Sequence, residues 1–175
     1  MNHQAHRIGG ICATTVATTI LYNQTLGETS THIAMGIAIA GGAIGALIPD
    51  IDHPSSKVGK KVKPVSVVIN QVFGHRGFTH TILAFLLFVL GLFLLVGVIP
   101  VAYQGYYFPF ALGLMIGYAS HLVLDMMTVS GVPLLYPFSN HSFRIAKFRT
   151  GRDDLLVIVL MLMGTGFYLY FSGIL

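Results

Sequence analysis

Charged side chains are scarce in this chain of 175 residues, because 9% of its residues are charged and 54% are hydrophobic. The mean hydropathy is +0.76. A soluble domain carries about 25% charged residues, since its surface must face water. The sequence has no charged residue between Arg76 and Asp125 and none from Leu155 to Leu175. Each gap is long enough for a membrane-spanning helix of about 20 apolar residues. The soluble, disordered and fibrous classes are therefore excluded.

Cysteine is also nearly absent, since the chain has one, Cys12. A single cysteine excludes an intramolecular disulfide and leaves the redox compartment undetermined. The length leaves too little chain for a second folded domain once membrane spans are subtracted. We therefore expect one integral-membrane domain over residues 1–175.

Apolar runs predict an all-α polytopic membrane protein with about five transmembrane helices. The predicted spans are 8–22, 32–48, 80–99, 107–127 and 155–174, and the two long loops are 49–79 and 128–154. Pairs of glycines four residues apart, Gly41 with Gly45 and Gly113 with Gly117, would let the second and fourth spans pack closely. The alternative is that glycine is simply frequent in membrane helices.

Basic residues mark one side of the predicted bundle. They are Arg7, Lys57, Lys60, Lys61, Lys63, Arg76, Arg144, Lys147, Arg149 and Arg152. The loops on the other side, 23–31 and 100–106, contain one charged residue, Glu28. The positive-inside rule therefore places the N-terminus and both long loops in the cytoplasm and the C-terminus outside. This topology accounts for the basic excess without nucleic-acid binding. The lysines at 57, 60, 61 and 63 should attract anionic lipid headgroups.

Ionisable residues collect at the cytoplasmic ends of the predicted spans. They are His6, Asp50, Asp52, His53, His75, Arg76, His80, His121, Asp125, Asp153 and Asp154. Such groups are costly in a membrane and usually mark a functional site. The sequence therefore predicts a polar site at the cytoplasmic membrane face, around which the helices are bundled.

His121 and Asp125 are four residues apart and share one helix face, as two ligands of one metal ion must. A neutral hydrogen-bonded pair that joins two helices is the alternative. Asp50 and Asp52 follow Pro49, and we expect an extended stretch that puts both carboxylates on the same side. Neighbouring carboxylates repel unless they share a cation or a proton. The alternative is an Asx-type helix stop.

The segment G-H-R-G-F-T-H-T precedes the third predicted span, and its His75 and His80 could be ligands. Its Arg76 has the fork geometry that binds a phosphate or carboxylate. Helix C-termini favour cations and N-termini favour anions, so we expect a metal near Asp50, His121 and Asp125 and an anionic group near Arg76. Mixed nitrogen and oxygen ligands suit zinc or manganese.

Three motifs together resemble the YdjM-type family of bacterial inner-membrane proteins, which are described as metal-dependent hydrolases. They are P-D-I-D-H (49–53), G-H-R-G-F-T-H-T (74–81) and G-Y-A-S-H-L-V-L-D followed by T-V-S-G-V-P-L-L-Y-P-F (117–138). The resemblance runs from His6 to about Phe138 and implies a location in the bacterial cytoplasmic (inner) membrane.

The order of the ionisable residues is also similar to the zinc-dependent phospholipase C and P1 nuclease superfamily, whose members cleave phosphoesters. This resemblance implies the metal ligands His6, Asp50, His75, His121 and Asp125, with Asp125 bridging two ions. The chain departs from the pattern after Asp125, since Arg149 and Asp153 replace the last ligand pair. One or two divalent ions, with zinc before manganese, are therefore expected. The substitute ligands are His80, Asp52, His53 and Asp153.

We interpret the protein as a membrane-embedded metal-dependent hydrolase, a phosphoesterase acting on a lipid or lipid-linked phosphate at the cytoplasmic leaflet. A metal-activated water would attack the phosphate while Arg76 holds the phosphoryl oxygens. Asp52 or His80 would act as general base or orient a ligand. The alternative is a metal-binding transporter or a structural membrane protein in which the polar layer is not catalytic.

Overall fold

The computed structural model describes residues 1–25, 28–73 and 77–174. It confirms the all-α class, since 70% of the chain is helical and the described residues contain no β-strand. The helices are α1 (His3–Leu21), α2 (Thr29–Gly45), α3 (Lys57–Lys61), α4 (Lys63–Phe73), α5 (Ile82–Leu95), α6 (Val101–Met126) and α7 (Asp154–Phe171). Short 3-10 helices occupy Asn23–Thr25, Pro49–Asp52 and Phe78–His80.

Three helical segments are long and apolar enough to cross a membrane, namely Thr29–Asp52, Val101–Met126 and Asp154–Phe171. Helix α5 is apolar but shorter, at 14 residues. Helix α1 has 19 residues and contains threonines, of which Thr18 donates its hydroxyl to the Thr14 carbonyl at 2.7 Å. The prediction of about five spans therefore stays a prediction, whereas a bundle with three membrane-crossing helices is supported.

Helix bounds differ from the predicted ones most at the starts of α1 and α6. The predicted external loop 100–106 is helical from Val101, because Pro100 stands just before the helix, where a missing N–H costs nothing. The predicted loop 49–79 contains α3 and α4, and α4 exposes Val65, Val68 and Val72 on one face. The predicted loop 128–154 is irregular and held by isolated bridges, such as Val132 to Phe143.

The expected extended stretch after Pro49 is wrong. Residues Pro49–Asp52 form a 3-10 helix, because proline at the first position already has the φ angle of a helix. At three residues per turn, positions two apart point in different directions. Asp50 and Asp52 therefore face different partners instead of sharing one side.

The closest helix contact lies between α2 and α6 and depends on glycine. A Cβ atom at Gly113 would overlap the carbonyl oxygen of Ala38, and one at Gly117 would overlap that of Gly42. Gly41 and Gly45 likewise lie directly against the backbone of α6. The close packing predicted from these glycines is therefore present, and it brings the two helix backbones into direct contact.

Replacing Gly117 by alanine should lower the free energy of unfolding by about 1–3 kcal/mol, because the added methyl group has no space beside the Gly42 carbonyl. Gly105 on the same helix is the matched control, since a Cβ there meets no atom within 4 Å. Gly105→Ala should be neutral or stabilise by up to about 1 kcal/mol. Thermal unfolding in detergent measures both, and equal midpoints would contradict the packing.

Candidate metal centre

Four separate segments bring ionisable side chains together at one end of the bundle. His6 comes from the first turns of α1, Asp50 and Asp52 from the 3-10 turn after α2, and His80 from the turn before α5. His121 and Asp125 come from the last turns of α6. All are buried except Asp50, whose side chain is 18% exposed. The polar site predicted at this end of the spans is thus assembled from the named residues.

The orientation of His121 is set by the backbone of α2. Its Nδ1 lies 2.7 Å from the carbonyl oxygen of Ala46. A carbonyl only accepts hydrogen bonds, so Nδ1 carries a proton and Nε2 is the ring nitrogen that faces the cluster. That Nε2 lies 3.5 Å from Asp125 Oδ2 and 3.9 Å from Asp50 Oδ1. A histidine anchored to a carbonyl through its other nitrogen is the usual arrangement of a metal ligand.

His80 is oriented in the same way by a carboxylate. Its Nδ1 lies 3.2 Å from Asp52 Oδ2, which also accepts a hydrogen bond from the Thr79 hydroxyl at 2.7 Å. Burial lowers the pKa of the His80 imidazole below its ordinary value, and the hydrogen bond to Asp52 opposes this shift in part. A singly protonated ring would carry its proton on Nδ1, which faces the Asp52 carboxylate. Its Nε2 lies 3.1 Å from Nε2 of His121.

These donor atoms fit a metal ion. Two neutral imidazole lone pairs at 3.1 Å repel each other unless a cation or a shared proton lies between them. Ligand atoms about 2.0–2.1 Å from a tetrahedral zinc ion are about 3.3 Å apart. Asp125 Oδ2 lies 3.5 Å from both Nε2 atoms, so the three atoms form a triangle of nearly that size. The ligand atoms of Asp50, His80 and His121 also lie within 4.8 Å of one another.

A second ligand group shares Asp125. The other carboxylate oxygen, Oδ1, lies 3.3 Å from His6 Nε2 and 2.6 Å from the amino group of Met1. The His6 ring stacks on His121 with centroids 3.7 Å apart. His6 Nδ1 is buried and has no hydrogen-bond partner among the described residues. Because its two oxygens face different groups, the Asp125 carboxylate has the geometry of a bridging ligand.

A polar cavity of about 500 Å³ gives access to this cluster. Its walls include Asp50 and Asp125 from the cluster, together with His53, Ser56 and Lys60. The Ser56 hydroxyl donates to the carbonyl of Asp50 at 2.8 Å and so ties the cavity wall to the turn that carries this ligand. The cavity is large enough for water and a small charged group.

Of the remaining predicted site residues, some lie near the cluster and others do not. His75 and Arg76 lie outside the described residues. His53 lines the cavity, and its Nδ1 accepts a hydrogen bond from Ser55 at 3.3 Å. Asp153 forms an ion pair with Arg152 at 2.8 Å, and this guanidinium lowers the pKa of the Asp153 carboxyl. Asp153 belongs to neither ligand group that the described residues form.

Sequence reasoning missed three groups that orient parts of the site. The Ala46 carbonyl orients His121, the Thr79 hydroxyl orients Asp52, and the Tyr118 hydroxyl donates to the Thr79 carbonyl at 2.5 Å. Tyr118 stands three residues before His121 and therefore on the same helix face, which is a signal that could have found it. A backbone carbonyl leaves no such signal in the sequence.

Comparisons with known proteins give a family match over nearly the whole chain and relatives that share part of it. The family described as YdjM inner membrane protein matches residues 1–173. Uncharacterized protein YvsG of Bacillus subtilis (strain 168) is 41% identical over 135 residues, which are 75% of this chain and 77% of that protein. Inner membrane protein YdjM of Escherichia coli (strain K12) is 45% identical over 93 residues, 52% of this chain and 44% of the relative. The matched part is thus less than half the length of that relative. No solved structure matches the chain.

Tyr118→Phe should lower the free energy of unfolding by about 1–3 kcal/mol, because it leaves the Thr79 carbonyl without this donor. Tyr103 on the same helix is 63% exposed and serves as the matched control, whereas Tyr118 is 3% exposed. Tyr103→Phe should leave the midpoint unchanged. Thermal unfolding in detergent compares the two, and an equal response would mean that the hydroxyl of Tyr118 does not anchor the Thr79 segment.

Proposed function

The chain belongs to the YdjM inner membrane protein family, and we propose that it is a metal-dependent phosphoesterase that acts on a lipid-linked phosphate at the cytoplasmic leaflet. The observation that carries this proposal is the convergence of His80 Nε2, His121 Nε2 and Asp125 Oδ2 within 3.5 Å of one another. Both imidazoles are oriented through their Nδ1 atoms, so that each directs its Nε2 towards the other donor atoms of the group.

The donor set favours zinc, with manganese as the second candidate. It consists of imidazole nitrogens and carboxylate oxygens, which suit these metals better than calcium or magnesium. Asp50, His80, His121 and Asp125 would hold one ion, and His6 with the second oxygen of Asp125 would contribute to another. One ion or two are therefore proposed.

A bound divalent ion supplies a water of lowered pKa and polarises a phosphoryl oxygen. The protein residues orient the ligands and provide the electrostatic environment of the site. Asp52 holds the proton of His80 on Nδ1 and keeps the Nε2 lone pair directed into the cluster. Helices α2 and α6 end at the cluster, so the partial negative charge of their C-termini favours a cation there. Lys60, on the wall of the polar cavity, attracts an anionic group towards Asp50 and Asp125.

A lipid substrate is proposed from the location of the site. The cluster lies at one end of a bundle of membrane-crossing helices, where phosphorylated headgroups are found. The segments that carry the basic residues, including α3 and the loop before α7, connect at this same end, which supports its placement in the cytoplasm. The N-terminus would then be cytoplasmic and the C-terminus outside.

The purified protein should contain about one to two equivalents of zinc or manganese. The double variant His121→Ala, Asp125→Ala should lose the metal, because it removes ligands of both groups. His141→Ala is the control, since His141 is an exposed loop residue packed on Phe143. Elemental mass spectrometry measures the content after thermal unfolding has verified each fold. If the wild-type protein holds no metal after reconstitution, the proposed metal-dependent mechanism is wrong.

The metal-loaded protein should hydrolyse a phosphoester bond in a member of a panel of phospholipids and polyprenyl phosphates, whereas the double variant should not. The measurement in mixed micelles is release of phosphate from monoesters and of the phosphorylated headgroup from diesters, with chelator-treated wild-type protein as a second control. If the metal is bound but nothing in the panel is cleaved, the cluster is structural or conducts ions. In the structural case the double variant would lose its fold instead of its turnover.

A further inference from the structure

An apolar groove of about 660 Å³ lies between α1, α6 and α7, away from the polar cavity. Its walls include Gly9, Ala13 and Ala17 of α1, Leu124 of α6 and Gly164 of α7. The two polar side chains in the wall are Ser120, which donates its hydroxyl to the Gly117 carbonyl at 2.7 Å, and Thr165. The groove therefore offers almost nothing to water and suits a hydrocarbon.

Small side chains create this groove. Gly9, Ala13 and Ala17 are spaced by four and lie on one face of α1. On the opposite wall, a Cβ atom at Gly164 would meet nothing within 4 Å. Gly164 is therefore not required for helix packing, in contrast to Gly117, and the space beside it is open to an occupant.

The groove has the length of one membrane leaflet. It extends from Gly9 to Ile20 along α1 and from Met127 to Ile116 along α6. At about 1.5 Å per residue each wall is about 16 Å long. Half of the hydrocarbon core of a bilayer is about 15 Å thick. An acyl or isoprenoid chain from the leaflet at the cluster end would therefore be covered along its length.

The groove begins beside the metal cluster. Gly9 is one helical turn beyond His6, and a Cβ at Gly9 would meet the side chain of Leu124. Leu124 lines the groove, and the next residue, Asp125, lines the polar cavity and contacts His80 and His121 through one oxygen and His6 through the other. Consecutive residues of α6 thus border the two places.

We propose that this groove binds one hydrocarbon chain of the phosphorylated lipid whose phosphate lies at the cluster. The inference rests on the proposed function and adds the part of the protein that selects a chain-bearing substrate. A soluble phosphate ester would meet the same ligands without the contribution of the groove, whereas a neutral lipid would fill the groove without reaching the cluster.

Gly164→Phe tests the groove, because Gly164 lines it and a Cβ atom there meets nothing within 4 Å. Gly166→Phe on the same helix is the matched control, since a Cβ there also meets nothing within 4 Å and Gly166 does not line the groove. The probes are lysophosphatidate with a 16-carbon chain, lysophosphatidate with an 8-carbon chain, monoacylglycerol with a 16-carbon chain and glycerol phosphate. Native mass spectrometry measures the bound probe, and elemental analysis measures the metal in the same samples.

Wild-type protein and Gly166→Phe should bind one long-chain lysophosphatidate at least about tenfold more tightly than any other probe, since each buried methylene contributes. Gly164→Phe should lose about tenfold in affinity for the long-chain probe and much less for the short-chain one, with unchanged metal content. Equal affinities of the two variants, equal binding of monoacylglycerol, or no binding of any probe would overturn the proposal. Loss of metal from the wild type would instead count against the proposed function.

Discussion

The direct backbone contact between α2 and α6 is the constraint on which the site depends. Glycines at the crossing let the carbonyl oxygens of one helix lie where the Cβ atoms of the other would be. One consequence is that the C-terminal end of α2 comes within 2.7 Å of His121, so that the Ala46 carbonyl holds its imidazole. A wider separation would remove this hydrogen bond and free the ring to rotate. The small residues therefore determine the direction of a ligand lone pair as well as the stability of the bundle.

Burying this many carboxylates and imidazoles is unfavourable unless each is paired or bound to a cation. The three carboxylates of the cluster differ in their neighbours and in their access to the polar cavity. Asp52 is satisfied by Thr79 and by the proton of His80, which makes it an orienting group. Asp125 is shared between two sets of neighbours, and Asp50 is partly open to the polar cavity. The residues that line the cavity, Asp50 and Asp125, are thus the ones nearest to solvent, whereas Asp52 and His80 lie deeper.

Much of this arrangement follows from local periodicity, and the rest does not. The shared face of His121 and Asp125 was predictable because an α-helix relates positions four apart. The different partners of Asp50 and Asp52 were not, because a strand period was assumed where Pro49 starts a 3-10 helix. The hydrogen bond between His80 and Asp52 joins segments far apart in the chain, and no short-range pattern encodes such a pairing. Resemblance to a family could name candidate ligands but not the nitrogen that each imidazole presents.

Consecutive residues of α6 connect the polar and apolar parts of the molecule. On a helix, neighbours point about 100° apart, which lets Leu124 face the groove while Asp125 faces the cavity. On α1, His6 belongs to the cluster, and Gly9, one turn further along the same face, lines the groove. The boundary between the two environments therefore lies beside the cluster. An amphipathic phosphate, the substrate proposed above, would meet both sides of this boundary, whereas a soluble ester would meet only the polar one.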